Sequence, residues 1–189
     1  MRTLGIDLAS QPENTALCVV SWADDGRGAE VEPPRAGCDD DALLAEMARA
    51  DAVGIDAPFG WPAAFVSAVA GEGWPAGVAV DALRFRETDR FVRSWTGEVL
   101  GRRLSPLSVS ADRIAYCAWR CRSLLARHRG TSRVYEVYPA AALAVWGQPH
   151  RGYKRTTGDG PRACTRTLGV RPQACATRAC VRSPGRCCR

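Results

Sequence analysis

Gly-Ile-Asp occurs twice in the chain, in "LGIDLAS" (residues 4–10) and in "VGIDAPFGWP" (residues 53–62), each time closing an apolar run. A carboxylate at the tip of a buried strand is costly unless something compensates its charge. Taken singly, Asp7 and Asp56 read as turn formers, because Asp commonly caps a polar loop or a turn before proline. Taken together they suggest a metal site. Two carboxylates at matching heights on neighbouring strands repel unless a cation lies between them. Mg²⁺ or Mn²⁺ suits an all-oxygen site of this kind. Such ions assist phosphodiester hydrolysis by stabilising the attacking water and the leaving oxygen.

Other residues could join this chemistry. Glu136 lies in "VYEVY", where its neighbours Tyr135 and Val137 point to the opposite face. It sits either on a solvated face or in the site. In "RETDR", Arg86 and Arg90 flank Thr88 and Asp89. An arginine there could hold a scissile phosphate with Asp89 orienting it; the plainer reading is a surface helix with Glu/Arg pairs. Lys154 is an analogous phosphate contact. Trp61, Trp74, Trp95, Trp119 and Trp146 read mainly as core or lid residues, with base stacking the minority reading for Trp61. Cys117 and Cys121 have helical i, i+4 spacing. No His or Cys pair elsewhere in the body completes a metal site, so they read as core thiols.

The elements that must position these groups follow from periodicity. Residues 2–7 and 15–22 read as strands joined by a polar loop, with a weaker strand at 29–31. "DDDALLAEMARAD" is an amphipathic helix with acids in its first turn and Leu43, Leu44 and Met47 on its apolar side. Residues 52–56 form the next strand, and residues 58–83 read as irregular. A helix starting near Leu83 would bury Phe85, Val92 and Trp95 and expose Arg84, Arg86, Arg90 and Arg93. "SADRIAYCAWRCRSLLARH" is the clearest helix, with Ser110 as N-cap and a stripe of Ile114, Cys117, Ala118, Cys121 and Leu124. Residues 133–138 alternate as a strand. Pro139 opens a short helix that Gly147 stops. Three strands, a helix and a strand specify an α/β mixed sheet with strands one and four parallel and adjacent. Asp7 and Asp56 then meet at the C-terminal strand ends, where open α/β sheets place ligands.

The totals bound the rest. A length of 189 residues fits one domain with an appendage. The net charge of +6 is misleading, because the residues after Lys154 carry eight arginines and one acid, and residues 1–154 carry a net −1. The charge therefore says little about a partner of the globular part. Five of the nine cysteines lie in the same tail, residues 155–189. It has no helical or strand period and reads as a Cys-rich metal module, a basic disordered arm, or sequence unrelated to the fold, such as a frameshift product. The abrupt loss of pattern favours the last. No apolar run is long enough to span a bilayer and no secretory signal opens the chain, so no membrane partner and a cytoplasmic location are expected.

"GIDLAS…TALCVV", "DALLAEMARADAVGIDAPFGWP", "RETDRFV", "PLSVSADRI", "VYEVYPAAALAVWG" and "GYK" resemble the successive signatures of a bacterial and archaeal family, domain of unknown function 429, whose members are described as RNase H-like nucleases. The resemblance covers residues 2–154. It implies an RNase H-like mixed sheet with helices on its faces and a metal-dependent nuclease acting on nucleic acid. The acids it carries over are Asp7, Asp56 and Glu136, with Arg86, Thr88 and Asp89 as a further motif. Family members continue past the Tyr-Lys motif with a charged helix and a final helix bearing an Asp-Ala pair. Nothing after Lys154 matches that pattern, which implies a domain of residues 1–154 that is incomplete at its C-terminus and impaired in activity. Two rivals stand beside the nuclease. One is a non-catalytic RNase H-like binding or scaffold module. The other is an actin-like ATPase or kinase, suggested by "GIDLA", although the second Gly-rich phosphate loop it needs is missing.

Overall fold

The computed structural model describes residues 1–71, 77, 79–109 and 114–148. Among them run six strands and six helices: β1 (Arg2–Asp7), β2 (Ala16–Trp22), β3 (Ala29–Val31), β4 (Arg35–Ala36), α1 (Asp40–Arg49), β5 (Ala52–Ile55), α2 (Ala63–Val69), α3 (Val80–Arg84), α4 (Glu87–Leu100), α5 (Ala115–Arg127), β6 (Arg133–Glu136) and α6 (Pro139–Val145). The strands form one mixed sheet in the order β3-β2-β1-β5-β6, with the short β4 added to β2. β1, β2 and β3 are antiparallel, and β5 and β6 run parallel to β1. The α/β mixed sheet expected from the element order is therefore present, with β1 and β5 adjacent.

Alternation along the strands decides which face is buried. Leu4, Ile6, Leu17, Val19, Val53 and Ile55 are all nearly inaccessible, while the residues between them are partly or fully exposed. Leu43 and Met47 of α1 and Cys121 and Leu124 of α5 pack onto this face. A smaller apolar cluster joins Val92 and Leu100 of α4 to Leu104, Tyr138, Ala141 and Ala144 around α6. α1 starts where the acids required it: the Asp39 side chain accepts a hydrogen bond from the Ala42 N–H at 2.8 Å. Gly147 stops α6 in the left-handed region at φ 69°.

Three local expectations change. A helix, α2, occupies part of the segment read as irregular; its exposed Val66 and Val69 give it too little buried periodicity to announce itself. The helix expected from Leu83 is two helices, α3 and α4, separated by extended backbone at Phe85 and Arg86. The tryptophans are not core residues: Trp22, Trp119 and Trp146 are exposed, and Trp61 and Trp95 are half-buried. Trp74, Ser110 and the tail beyond Gln148 lie outside the described residues. Among the described residues, no helix is long and apolar enough to cross a membrane.

An ion-pair cluster fastens α1 to the sheet. Glu46 accepts from Arg2 at 2.7 Å and from Arg35. The hydrogen bond from Arg2 is the main influence holding its carboxyl below the usual glutamate range, and burial opposes it. A carboxyl depressed in the folded state contributes stability that is fully present above its unfolded value, about 4.3, and is lost as pH falls through the folded value. Glu46→Gln should lower stability by on the order of 1 kcal/mol at pH 7. Urea titrations at pH 7 and pH 3 should show that difference shrink in acid; a difference that grows would contradict the assignment.

Candidate functional site

The two Gly-Ile-Asp segments are held side by side. In the parallel ladder Gly5 pairs with Gly54 and Ile6 with Ile55. The next rung is closed by the Asp56 N–H, which donates to the Ile6 carbonyl at 2.9 Å. Asp7 and Asp56 thus leave adjacent strands at the same level. They share the sheet face of Gly5 and Gly54, opposite buried Ile6 and Ile55. Asp7 is exposed and Asp56 half-buried. The glycines keep this face low, and at position 54 the reason is steric: a Cβ there would lie 3.0 Å from Val137 Cγ1.

The loop after Asp7 is secured from α5. Arg120 donates to the Ala9 carbonyl (2.8 Å), to Thr15 Oγ1 (2.6 Å) and to the Cys38 carbonyl (3.2 Å), and pairs with Asp40 at 2.7 Å. Thr15 Oγ1 in turn accepts from the Ala9 N–H, closing residues 9–15 on themselves. One turn earlier, the Cys117 thiol donates to the Leu8 carbonyl at 2.7 Å. Burial pushes that thiol up to about 11, helped by the charges of Asp56 and Asp7 and opposed by Arg120. Cys121, buried beneath the sheet, is pushed up to about 12, again mainly by burial. Both are protonated packing thiols at neutral pH, as their sequence context suggested. Arg120 went unnoticed in the sequence. Its only signal is a position beside the apolar stripe Cys117, Cys121 and Leu124.

Glu136 is placed elsewhere. It pairs in register with Ile55, one residue before Asp56, so pleating sends it toward the opposite face. There its Oε2 accepts from the Phe59 N–H at 2.9 Å, and its two oxygens take a fork from Arg86 at 2.7 and 2.8 Å. Arg86 also grips Asp89: Nη2 to Oδ1 at 2.7 Å and Nε to Oδ2 at 3.0 Å. The Arg86 N–H donates to Asp89 Oδ2 at 2.9 Å, which caps α4. Asp89 is 3 % exposed and the Arg86 side chain 12 %. Burial opposes the guanidinium charge, yet the hydrogen bonds and charges of Glu136 and Asp89 outweigh it and raise Arg86 above its ordinary range.

The surface-helix reading of "RETDR" is therefore corrected for Arg86 and Asp89, which are interior, while Arg84, Arg90 and Arg93 are exposed as expected. The alternative also changes, because a guanidinium already forked onto two carboxylates is poorly placed to take a phosphate. Lys154 lies outside the described residues. Among the described residues, no group of three or more His, Cys, Asp or Glu side chains is gathered as for a metal cage. Asp7 and Asp56 remain as the candidate pair of carboxylates. That donor set fits Mg²⁺ or Mn²⁺, which keep water and substrate oxygens in their remaining positions.

Fold and site together define a class: an α/β protein with a mixed sheet and an acidic pair at the C-terminal ends of two neighbouring parallel strands. The family profile described as "Protein of unknown function (DUF429)" matches residues 5–183, and the chain belongs to that family. The matched span continues past Lys154, beyond the boundary at which the sequence motifs stop. No curated protein and no solved structure matches the chain.

The Arg86 fork gives a direct test of its role. Removing one member of a buried ion pair leaves uncompensated charge, at a cost of about 3 kcal/mol. Arg86→Ala should lose about that much in urea unfolding, and Arg86→Lys most of it, since an ammonium cannot fork onto two carboxylates. A loss below about 0.5 kcal/mol in both variants would show the fork to be incidental.

Proposed function

We propose that the protein is a divalent-metal-dependent phosphodiesterase of the RNase H-like nuclease type, with Asp7 and Asp56 as the metal-holding carboxylates and nucleic acid as substrate. The observation that carries this reading is the rung closed by the Asp56 N–H on the Ile6 carbonyl, which brings two like charges together at adjacent strand ends. A divalent cation between them would be favoured by both carboxylates. The sheet order supports the same reading, because it sets the pair at the carboxyl edge of parallel strands, where α/β sheets carry ligands.

Mg²⁺ or Mn²⁺ held there would supply an activated water and electrostatic stabilisation of the leaving oxygen. The chain's own residues have supporting tasks. Gly5 adds no side chain beside Asp7, and Gly54 makes room for the Val137 side chain. Arg120, Thr15 and Cys117 fix the segment that follows Asp7, limiting the freedom of its backbone. Glu136 serves as a positioning residue: through the Phe59 N–H it fastens the segment that follows Asp56. This assignment replaces its expected place in the catalytic set.

Cleavage of labelled single- and double-stranded nucleic acids with Mn²⁺ tests the proposal. Asp7→Asn and Asp56→Asn should each lower the rate by a hundredfold or more, roughly the effect of losing several kcal/mol of charge stabilisation. Calorimetry should show Mn²⁺ binding weakened in the same variants. Glu136→Gln should keep Mn²⁺ affinity while lowering thermal stability. Cleavage that survives both aspartate substitutions would refute the assignment.

A further inference from the structure

A groove of about 490 Å³ lies between α2 and α5, lined by Trp61, Phe65, Val66, Val69, Trp119 and Arg122. Its aromatic wall faces outward. Trp119 is 55 % exposed and Tyr116, set edge-on against it with ring centroids 5.0 Å apart, is 66 % exposed. Large aromatics left this open contribute little to the core and are costly to hydrate. Grouped together, they mark a binding surface. The groove is also connected to the acidic pair. Trp61 follows Asp56 by five residues, and the intervening Phe59 is held from both sides, its N–H by Glu136 and its carbonyl by Arg122 at 3.4 Å. Five residues of chain, at most about 18 Å, join the groove, on the helix side of the sheet, to Asp56 at the strand end. A short oligonucleotide can follow that span around the sheet edge.

We propose that this groove binds unpaired nucleobases, so that the substrate strand is single-stranded where it reaches the carboxylates. This deepens the nuclease reading and rests on it for the fate of the bound strand. Charge selects the occupant. Among the described residues Arg122 is the one charged member of the lining, and it forms no ion pair with them. An apolar helix from a partner protein, or a second copy, would bury that guanidinium without compensation. A nucleotide strand offers what each wall needs: bases with two π-faces for the indoles, and a phosphate for the guanidinium. A duplex keeps its bases stacked on one another and has none to offer.

Fluorescence anisotropy of the full chain with a fluorescein-labelled twelve-nucleotide oligothymidylate, in EDTA, measures binding apart from cleavage. The single strand should bind more tightly than a duplex of the same length. Trp119→Ala should weaken it between about fivefold and a hundredfold, the range for loss of one stacked base, and Trp119→Phe should restore much of the loss. Arg122→Ala should weaken binding and flatten its salt dependence. Unchanged affinity in Trp119→Ala, with the fold intact by circular dichroism, would overturn the proposal. So would equal affinity for duplex, or a protein dimer that Trp119→Ala dissociates without affecting oligonucleotide binding. Failure of the nuclease reading looks different: Trp119-dependent binding would persist while no Mn²⁺-dependent cleavage occurred.

Discussion

The parallel register between β1 and β5 is the constraint on which the rest of the molecule depends. Ile6 opposite Ile55 puts two apolar side chains into the core at once, and that burial makes a slip of one residue prohibitive. The same register fixes two other relations. It lays Gly5 against Gly54, where Val137 packs close to the backbone, and it brings Asp7 beside Asp56. The repeated Gly-Ile-Asp is one structural unit used twice: a residue that allows close approach, a residue that anchors the register, and a carboxylate at the end. The hydrophobic anchor immediately before each aspartate holds the arrangement in place.

A helix far away in sequence completes the unit. α5 buries Cys121 and Leu124 on the sheet, and its next face carries Arg120 into the loop after Asp7. Arg120 reaches a carboxylate, two carbonyls and a hydroxyl, so one charge ties the loop after Asp7 to the start of α1. The third face bears Tyr116 and Trp119. One helix thus supplies a core stripe, a loop clamp and an exposed aromatic wall, each set by its angular position.

The sheet was legible in the sequence because its signals are local. Alternation marks β1 and β2, the Asp39 cap and acidic first turn mark α1, and Pro139 and Gly147 bracket α6. The pairing of Asp7 with Asp56 was also legible, since the element order makes their strands neighbours. The partners of Arg86 were not. Arg86 and Glu136 are separated by 50 residues, and nothing in "RETDR" distinguishes an arginine that turns inward from one that stays in water. The break at Phe85 and Arg86 was hidden for the same reason. Helical propensity runs through it, and the backbone departs from helix where Asp89 caps α4 and Arg86 is drawn to Glu136.

Glu136 shows how much one step along a strand changes the surroundings of a carboxylate. It stands one residue below the level of Asp56 on the next strand, and that single step sends it to the other side of the sheet. On that side the surroundings are apolar, and a carboxylate needs a fixed cation; Arg86 supplies it, with Asp89 completing the fork. On the opposite face Asp7 is exposed and Asp56 half-buried. A guanidinium holds a permanent geometry at Glu136, whereas the divalent ion proposed for Asp7 and Asp56 would share its coordination with a substrate. Pleat parity thus separates Glu136 from Asp7 and Asp56, and Glu136 braces the segment leading away from Asp56 through the Phe59 N–H.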